Sequence, residues 1–314
     1  MRIAILGRTK WLLVAASALA AEGHVIALVA TADAAPEYGV GPEDFRALAE
    51  RHASTFLHAR KGDEAILADA LRTSGAQTGV SINWPWVIGQ VVCDAVPNGI
   101  FNAHAGDLPR YRGNACPNWA ILNGEDRIGL CIHRMEPGAI DAGPIFARTY
   151  LPVTNNTYIA DVYSWMHEVI PSLFVEAMIR LAEPGFSPID QHALSARPLR
   201  CQPRRPEDGR IDWNCDARQI QRLVRASARP FAGAYAWVNG GRRVTVWRAC
   251  LAELDHDILA VPGQIMGRGP NGGILVACGA GVIEIEEAEV EGGGALPSAN
   301  RHRLTSMPDI AARP

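Results

Sequence analysis

The feature that most limits what this chain can fold into is its opening, "RIAILG" followed by "WLLVAASALAAEGH" and then "VIALVAT". The first is a short apolar run closed by Gly7, the pattern of a strand buried on both faces. The second repeats apolar residues at helical spacing and stops at Gly23, a residue suited to ending a helix. The third is again a buried strand. A strand–helix–strand unit of this size places its strands parallel and its crossover right-handed. The alternation continues, with "EDFRALAERHA" and "GDEAILADALRTSG" as helices and "STFLHA", "TGVSINW" and "GIFNAH" as strands. This pattern predicts an α/β chain with a doubly wound, Rossmann-like domain and a mostly parallel sheet, in which ligands bind beyond the carboxyl ends of the strands.

Further on, "CPNWAILNGE" reads as a helix and "RIGLCIHRM" as a strand. "IADVYSWMHEVIPSLFVEAMIRLAE" is a long helical pattern that Pro171 is expected to kink or break. The style changes near Pro184. "EPGFSPIDQHALSARPLRCQPRRPEDG" is rich in Pro and Arg and has no period. Past one more helix, "ARQIQRLVRASA", come short strands split by glycines, which predict a smaller β-rich, barrel-like domain. The expected layout is a catalytic domain over 1–183, a linker over 184–206 and the β-rich domain over 207–314.

Net charge of −3 supplies no general attraction for nucleic acid or anionic membrane. No apolar stretch reaches the length needed to cross a bilayer. Arg8 and Lys10 interrupt the apolar start, so it is not read as a secretion signal, and reduced thiols and a cytoplasmic location are expected. The seven cysteines show no two-residue spacing, and no metal is expected.

"GRT" after the first strand fits either a tight turn or an anion site at a helix N-terminus. It lacks the three-glycine dinucleotide fingerprint and is no P-loop, which speaks against a nicotinamide dehydrogenase. "FNAHAGDLPRYRG" is more pointed. Asn102 and His104 stand two apart in a strand, on one side of it, and form either an ordinary strand end or a pair able to hold a developing oxyanion. Asp141, among small residues in "GAIDAGPIFAR", could orient the histidine and accept the proton of an attacking amine. Spacing alone does not bring the three together.

The two long stretches "FNAHAGDLPRYRGNACPNWAILNGE" and "GLCIHRMEPGAIDAGPI" together resemble the signature of the folate-dependent formyltransferases. "RRPEDGRIDWNCDARQIQRLVRASARPFAGAYAWV" resembles the start of the small barrel found in longer members. The resemblance implies 10-formyltetrahydrofolate as formyl donor and a catalytic triplet of Asn102, His104 and Asp141. It also implies a pterin pocket along Trp84, Pro85, Trp86, Val87 and Ile88, with Asp141 beside it. Trp84 and Trp86 read equally well as core residues.

The family acts on several amines. Its tRNA-acting members carry a basic insertion after the second strand, where this chain has "TADAAPEYGVGPEDF", with Asp33, Glu37, Glu43 and Asp44 and no Lys or Arg. "RPLRCQPRR" and "GGRRVTVWR" are basic but short. The phrasing of "GDLPRYRG" and "NWAILNGE" is nearer to sugar formyltransferases, so a nucleotide-linked amino sugar is the expected acceptor. Leu108, Pro109, Arg110, Tyr111 and Arg112 are then candidate acceptor-binding residues, and Arg8, Arg110 and Arg112 candidate diphosphate partners. Methionyl-tRNA, or a small amine such as hydroxyornithine, is the alternative. The oligomeric state stays open, a homodimer included.

Overall fold

The computed structural model describes residues 1–34 and 38–309; Glu37 of the acidic stretch lies outside them. The chain divides into two compact units. One takes residues 1–116, 128–151 and 164–201; the other takes 117–127, 152–163 and the chain from Gln202 onward.

The first unit is organised by a seven-stranded sheet. Its elements begin β1 (Arg2–Gly7), α1 (Lys10–Ala21), β2 (Val25–Thr31), α2 (Pro42–Arg51), β3 (Thr55–His58), α3 (Glu64–Ser74) and β4 (Thr78–Ile82). They continue with α4 (Gln90–Cys93), β5 (Ile100–His104), β6 (Arg112–Gly113), β7 (Arg127–Arg134) and β8 (Ile145–Pro152), while α5 (Cys116–Asn123), between β6 and β7 in the chain, belongs to the second unit from Pro117 on. The order is β3-β2-β1-β4-β5-β7-β8. The first five pair in parallel, and β7 joins β5 antiparallel. The order reverses at β1, with β2 and β3 to one side and β4 and β5 to the other, which opens a crevice at the carboxyl ends. Ile3, Ala4, Ile5 and Leu6 of β1 are fully buried, as a strand covered on both faces requires. Gly7 closes β1 for a steric reason: a Cβ there would sit 2.2 Å from the Ile82 carbonyl oxygen.

Pro171, expected to kink or break its helix, lies inside α6 (Ile159–Ala182) without ending it. Ile170, Leu173, Phe174 and Ala177 around it are almost fully buried. Their packing outweighs the roughly 3 kcal/mol that an interior proline costs. The aperiodic stretch expected as a linker carries structure of its own. Residues Gln191–Ala193 form a 3-10 turn, and β9 (Arg200–Cys201) pairs in parallel with β6.

In the second unit α7 (Ala217–Ser227) is started by Asp216, whose carboxylate accepts from the Gln219 N–H at 2.7 Å. The sheet contains β10 (Ala234–Val238), β11 (Arg243–Ala252), β12 (Ile265–Arg268), β13 (Ile274–Ala277), β14 (Val282–Val290) and β15 (Leu304–Thr305). Its order is β12-β13-β14-β11-β10-β15. The two edge strands meet: Ile265 N–H donates to His302 O at 3.1 Å, and Leu304 N–H donates to Gly263 O at 2.7 Å. This contact rolls the sheet toward a barrel and protects its edges.

A buried cation fastens residues 152–163 to α7. Arg225, 3% exposed, donates from Nε to Gln221 Oε1 and from Nη1 to the carbonyls of Thr154 and Thr157 at 2.9 and 3.0 Å. Replacing it by Met leaves those carbonyls without their donor, and an Arg225→Met protein is expected to lose about 2–4 kcal/mol of stability. A urea midpoint unchanged from the native protein would refute this.

Among the described residues no helix is long and apolar enough to cross a membrane. All seven cysteines are free of disulfides.

Candidate active site

The site lies within the first unit, at the carboxyl end of β5. Asn102 and His104 share one side of that strand, as their spacing predicts. In the antiparallel register with β7, Asn102 stands opposite His133 and His104 opposite Cys131. Asp141 sits in the turn between β7 and β8 with φ of 51°, in the left-handed region that non-glycine residues seldom adopt.

These side chains converge. Asp141 Oδ2 accepts from the Gly113 N–H at 2.8 Å and lies 3.4 Å from His104 Nδ1. Its other oxygen, Oδ1, lies 3.3 Å from His133 Nε2. The carboxylate side chain is 12% exposed, and those of His104 and His133 are 8% and 1% exposed. Burial pushes the Asp141 carboxyl up. His104, the bond and charge of His133 and the Gly113 N–H outweigh it, and the group is held well below the usual carboxylate range.

The histidines are oriented by the backbone. His104 Nε2 donates to the Tyr111 carbonyl at 2.6 Å, which leaves Nδ1 to face the carboxylate. His133 Nδ1 donates to the Arg134 carbonyl at 3.2 Å, and its Nε2 meets both Asn102 Nδ2 at 3.3 Å and Asp141 Oδ1. That nitrogen accepts from the amide when the ring is neutral and donates to the carboxylate when it is protonated. His133 was not singled out from sequence. Its one signal there is a polar residue inside the buried run "GLCIHRM".

The loop from Ala105 to Gly113 closes one side. Leu108 and Tyr111 are 1% and 3% exposed, and Pro109 is buried, so their side chains face the interior. What Tyr111 offers the site is its carbonyl. Arg112 directs Nε and Nη2 to Gln191 Oε1 at 3.2 and 2.6 Å. The Arg110 guanidinium lies 5.5 Å from the centre of the Tyr111 ring.

Arg8 donates from Nε to the Asn83 carbonyl and from Nη1 to the Asp33 carbonyl, and stacks on Tyr38, tying together the loops after β1, β2 and β4. Thr9 begins α1 without a side-chain capping bond. Asp33 also pairs with His58 at 2.9 Å, and Glu43 with Arg46 at 3.1 Å.

The loop after β4 divides its residues between core and surface. Ile88 is buried and Trp84 packs on the same cluster, whereas Val87 is 54% exposed. Trp84 and Trp86 meet edge to face at 5.7 Å. Half-buried Pro85 and Trp86 and exposed Val87 form an apolar surface that suits a flat heterocycle. No group of three His, Cys, Asp or Glu arranged to hold a metal is present among the described residues.

Residues 1–178 match the family model described as formyl transferase, and residues 204–302 match that of formyl transferase, C-terminal domain. Three solved structures show the same fold. HypX from Aquifex aeolicus, in complex with tetrahydrofolic acid, is 18% identical with a TM-score of 0.59. The match covers 93% of this chain and 44% of that one, so this chain spans less than half of HypX. An N-formyltransferase from Helicobacter canadensis, in complex with folinic acid and dTDP-3-aminofucose, is 16% identical with a TM-score of 0.65 over 91% of this chain and 98% of its own. Methionyl-tRNA formyltransferase from Clostridium thermocellum is 15% identical with a TM-score of 0.57, over 92% of this chain and 98% of its own.

Proposed function

Because the chain belongs to the formyl transferase family, with both of that family's domains matched, we propose that it transfers a formyl group from 10-formyltetrahydrofolate to the primary amine of a nucleotide-linked amino sugar. The observation that carries the chemistry is the convergence of Asn102, His104 and Asp141. The bound donor supplies an activated formyl carbon. Asn102 offers an amide N–H to the formyl oxygen as negative charge gathers on it, and His104, whose Nε2–H is held by the Tyr111 carbonyl, joins it as a second donor when Nδ1 also carries a proton. Asp141 stays ionised. So acidic a carboxyl is a weak base, and its work is to stabilise the cationic nitrogen that forms on attack and to conduct its proton to the leaving nitrogen. The apolar surface of Pro85, Trp86 and Val87 suits the pterin ring. Support for the donor comes from folate compounds bound in HypX and in the Helicobacter enzyme.

For the acceptor, charge favours a sugar nucleotide over tRNA. The stretch after β2 carries Asp33, Glu43 and Asp44 and would repel a polyanion, whereas the compact diphosphate of a sugar nucleotide needs only one or two cations, for which Arg8 and Arg110 are the candidates. The Helicobacter relative, solved with an amino sugar on dTDP, supports the same acceptor class. The match to the methionyl-tRNA enzyme runs through nearly the whole of both chains, as does the match to the Helicobacter enzyme, so coverage does not separate the two acceptors.

The test offers 10-formyltetrahydrofolate with a panel of nucleoside-diphosphate amino sugars, charged initiator tRNA and hydroxyornithine, and follows the mass of each acceptor. A formyl group gained by an amino sugar alone is the expected outcome. Formylation of the tRNA, with every sugar left untouched, would reverse the acceptor assignment.

A further inference from the structure

One buried amide near the site has a wiring that a structural filler would not need. Gln191, 2% exposed, comes from the aperiodic stretch after α6. The Arg112 guanidinium can only donate, so the atom facing its Nε and Nη2 is the amide oxygen. That turns Gln191 Nε2 to the carbonyls of Asp141 and Gly143, at 3.0 and 2.7 Å. All four hydrogen-bonding positions of the amide are used, two on each of two loops. Its approach is set by Ile189, which exchanges both backbone bonds with Ile145 at 2.9 Å. The two loops are the ones that matter to the carboxylate. Arg112 precedes Gly113, whose N–H holds Asp141 Oδ2, and the Asp141 backbone itself sits at a costly positive φ.

We propose that Gln191 is a positioning residue for formyl transfer: its amide pins the Asp141 loop to the loop carrying Gly113 and thereby sets where the carboxylate stands. The inference rests on the role proposed above for Asp141. A shift of about an ångström would break the Gly113 bond and alter both imidazole distances, and displacements of that size cost on the order of a hundredfold in rate. The groups facing the carboxylate are His104 from β5, His133 from β7, the Gly113 N–H from β6 and the Cys116 thiol at the start of α5, with Arg112 next along β6.

The test uses the full chain with Gln191→Met and Gln191→Glu. Met keeps the length and makes none of the four bonds; Glu keeps the acceptor for Arg112 and loses both donors. Each variant is expected to lose roughly 10- to 100-fold in kcat, with KM for amine and donor within about threefold. In Gln191→Met the Asp141 carboxyl, followed by carbon NMR and assigned against Asp141→Asn, is expected to titrate at higher pH, because its donors no longer hold it. A kcat within about threefold of the native value, or an unmoved titration, would overturn the proposal. Should the Met variant fail to fold, Gln191→Glu carries the test on the kcat and KM criteria. A native enzyme that formylates no amine would refute the proposed function, while the comparison of carboxyl titrations would still decide the role of Gln191.

Discussion

Asp141→Asn is expected to lower turnover by roughly two to four orders of magnitude, with a folded protein and little change in donor binding. The substitution keeps the shape and one oxygen for the Gly113 N–H, but removes the charge that both imidazoles face. A neutral amide cannot stabilise a cationic nitrogen or carry its proton. The same change alters stability against pH in a defined direction. The native carboxyl has its pKa depressed by folding, so its contribution is fully present above the unfolded value of about 4 and drains away as pH falls toward the folded one. The Asn variant has no such contribution to lose, and its stability should fall less steeply on acidification below about pH 4. Thermal melts across pH 2–7 check this, and parallel slopes for the two proteins would contradict it.

His104→Ala is expected to be comparably severe, on the order of a hundredfold or more in kcat. It removes the ring that Tyr111 and Asp141 hold between them and leaves a space that water can fill. Because His104 is 7% exposed, some stability will go too, so the measurement that counts is single-turnover formyl transfer at saturating donor and amine, on protein shown to be folded by circular dichroism. Turnover near the native rate would remove His104 from the proposed chemistry. Asn102→Ala should lie in the same range, since its amide, which lies 3.3 Å from His133 Nε2, is the other donor proposed for the formyl oxygen.

The alternation of apolar strands and amphipathic helices from Arg2 to His104 is local and strong, and it was enough to place the parallel sheet and the face of β5 that carries Asn102 and His104. Asp141 could be tied to them only through the resemblance, because nothing in its spacing reveals that β7 returns antiparallel beside β5. His133 was hidden for the same reason. Its partnership with Asn102 is a matter of register, which two strands separated by a loop and a helix do not declare. Gln191 left no signal at all: it sits in an aperiodic segment whose structure comes from the bonds it makes to distant loops. Pro171 does not break α6, since the rule against proline in a helix is a local cost that burial of its neighbours outweighed.

The route of the chain between its two units bears on how the protein is made. Each unit draws on three stretches, so the polypeptide passes from one to the other five times. Residues 152–163 leave the ribosome well before Arg225, the side chain that satisfies the Thr154 and Thr157 carbonyls. Asn118 likewise waits for the carbonyl of Ala226. Vectorial synthesis therefore cannot finish one unit and then begin the other. A nascent chain stalled at Cys201 would hold the proposed catalytic side chains and still lack the partners of two internal segments.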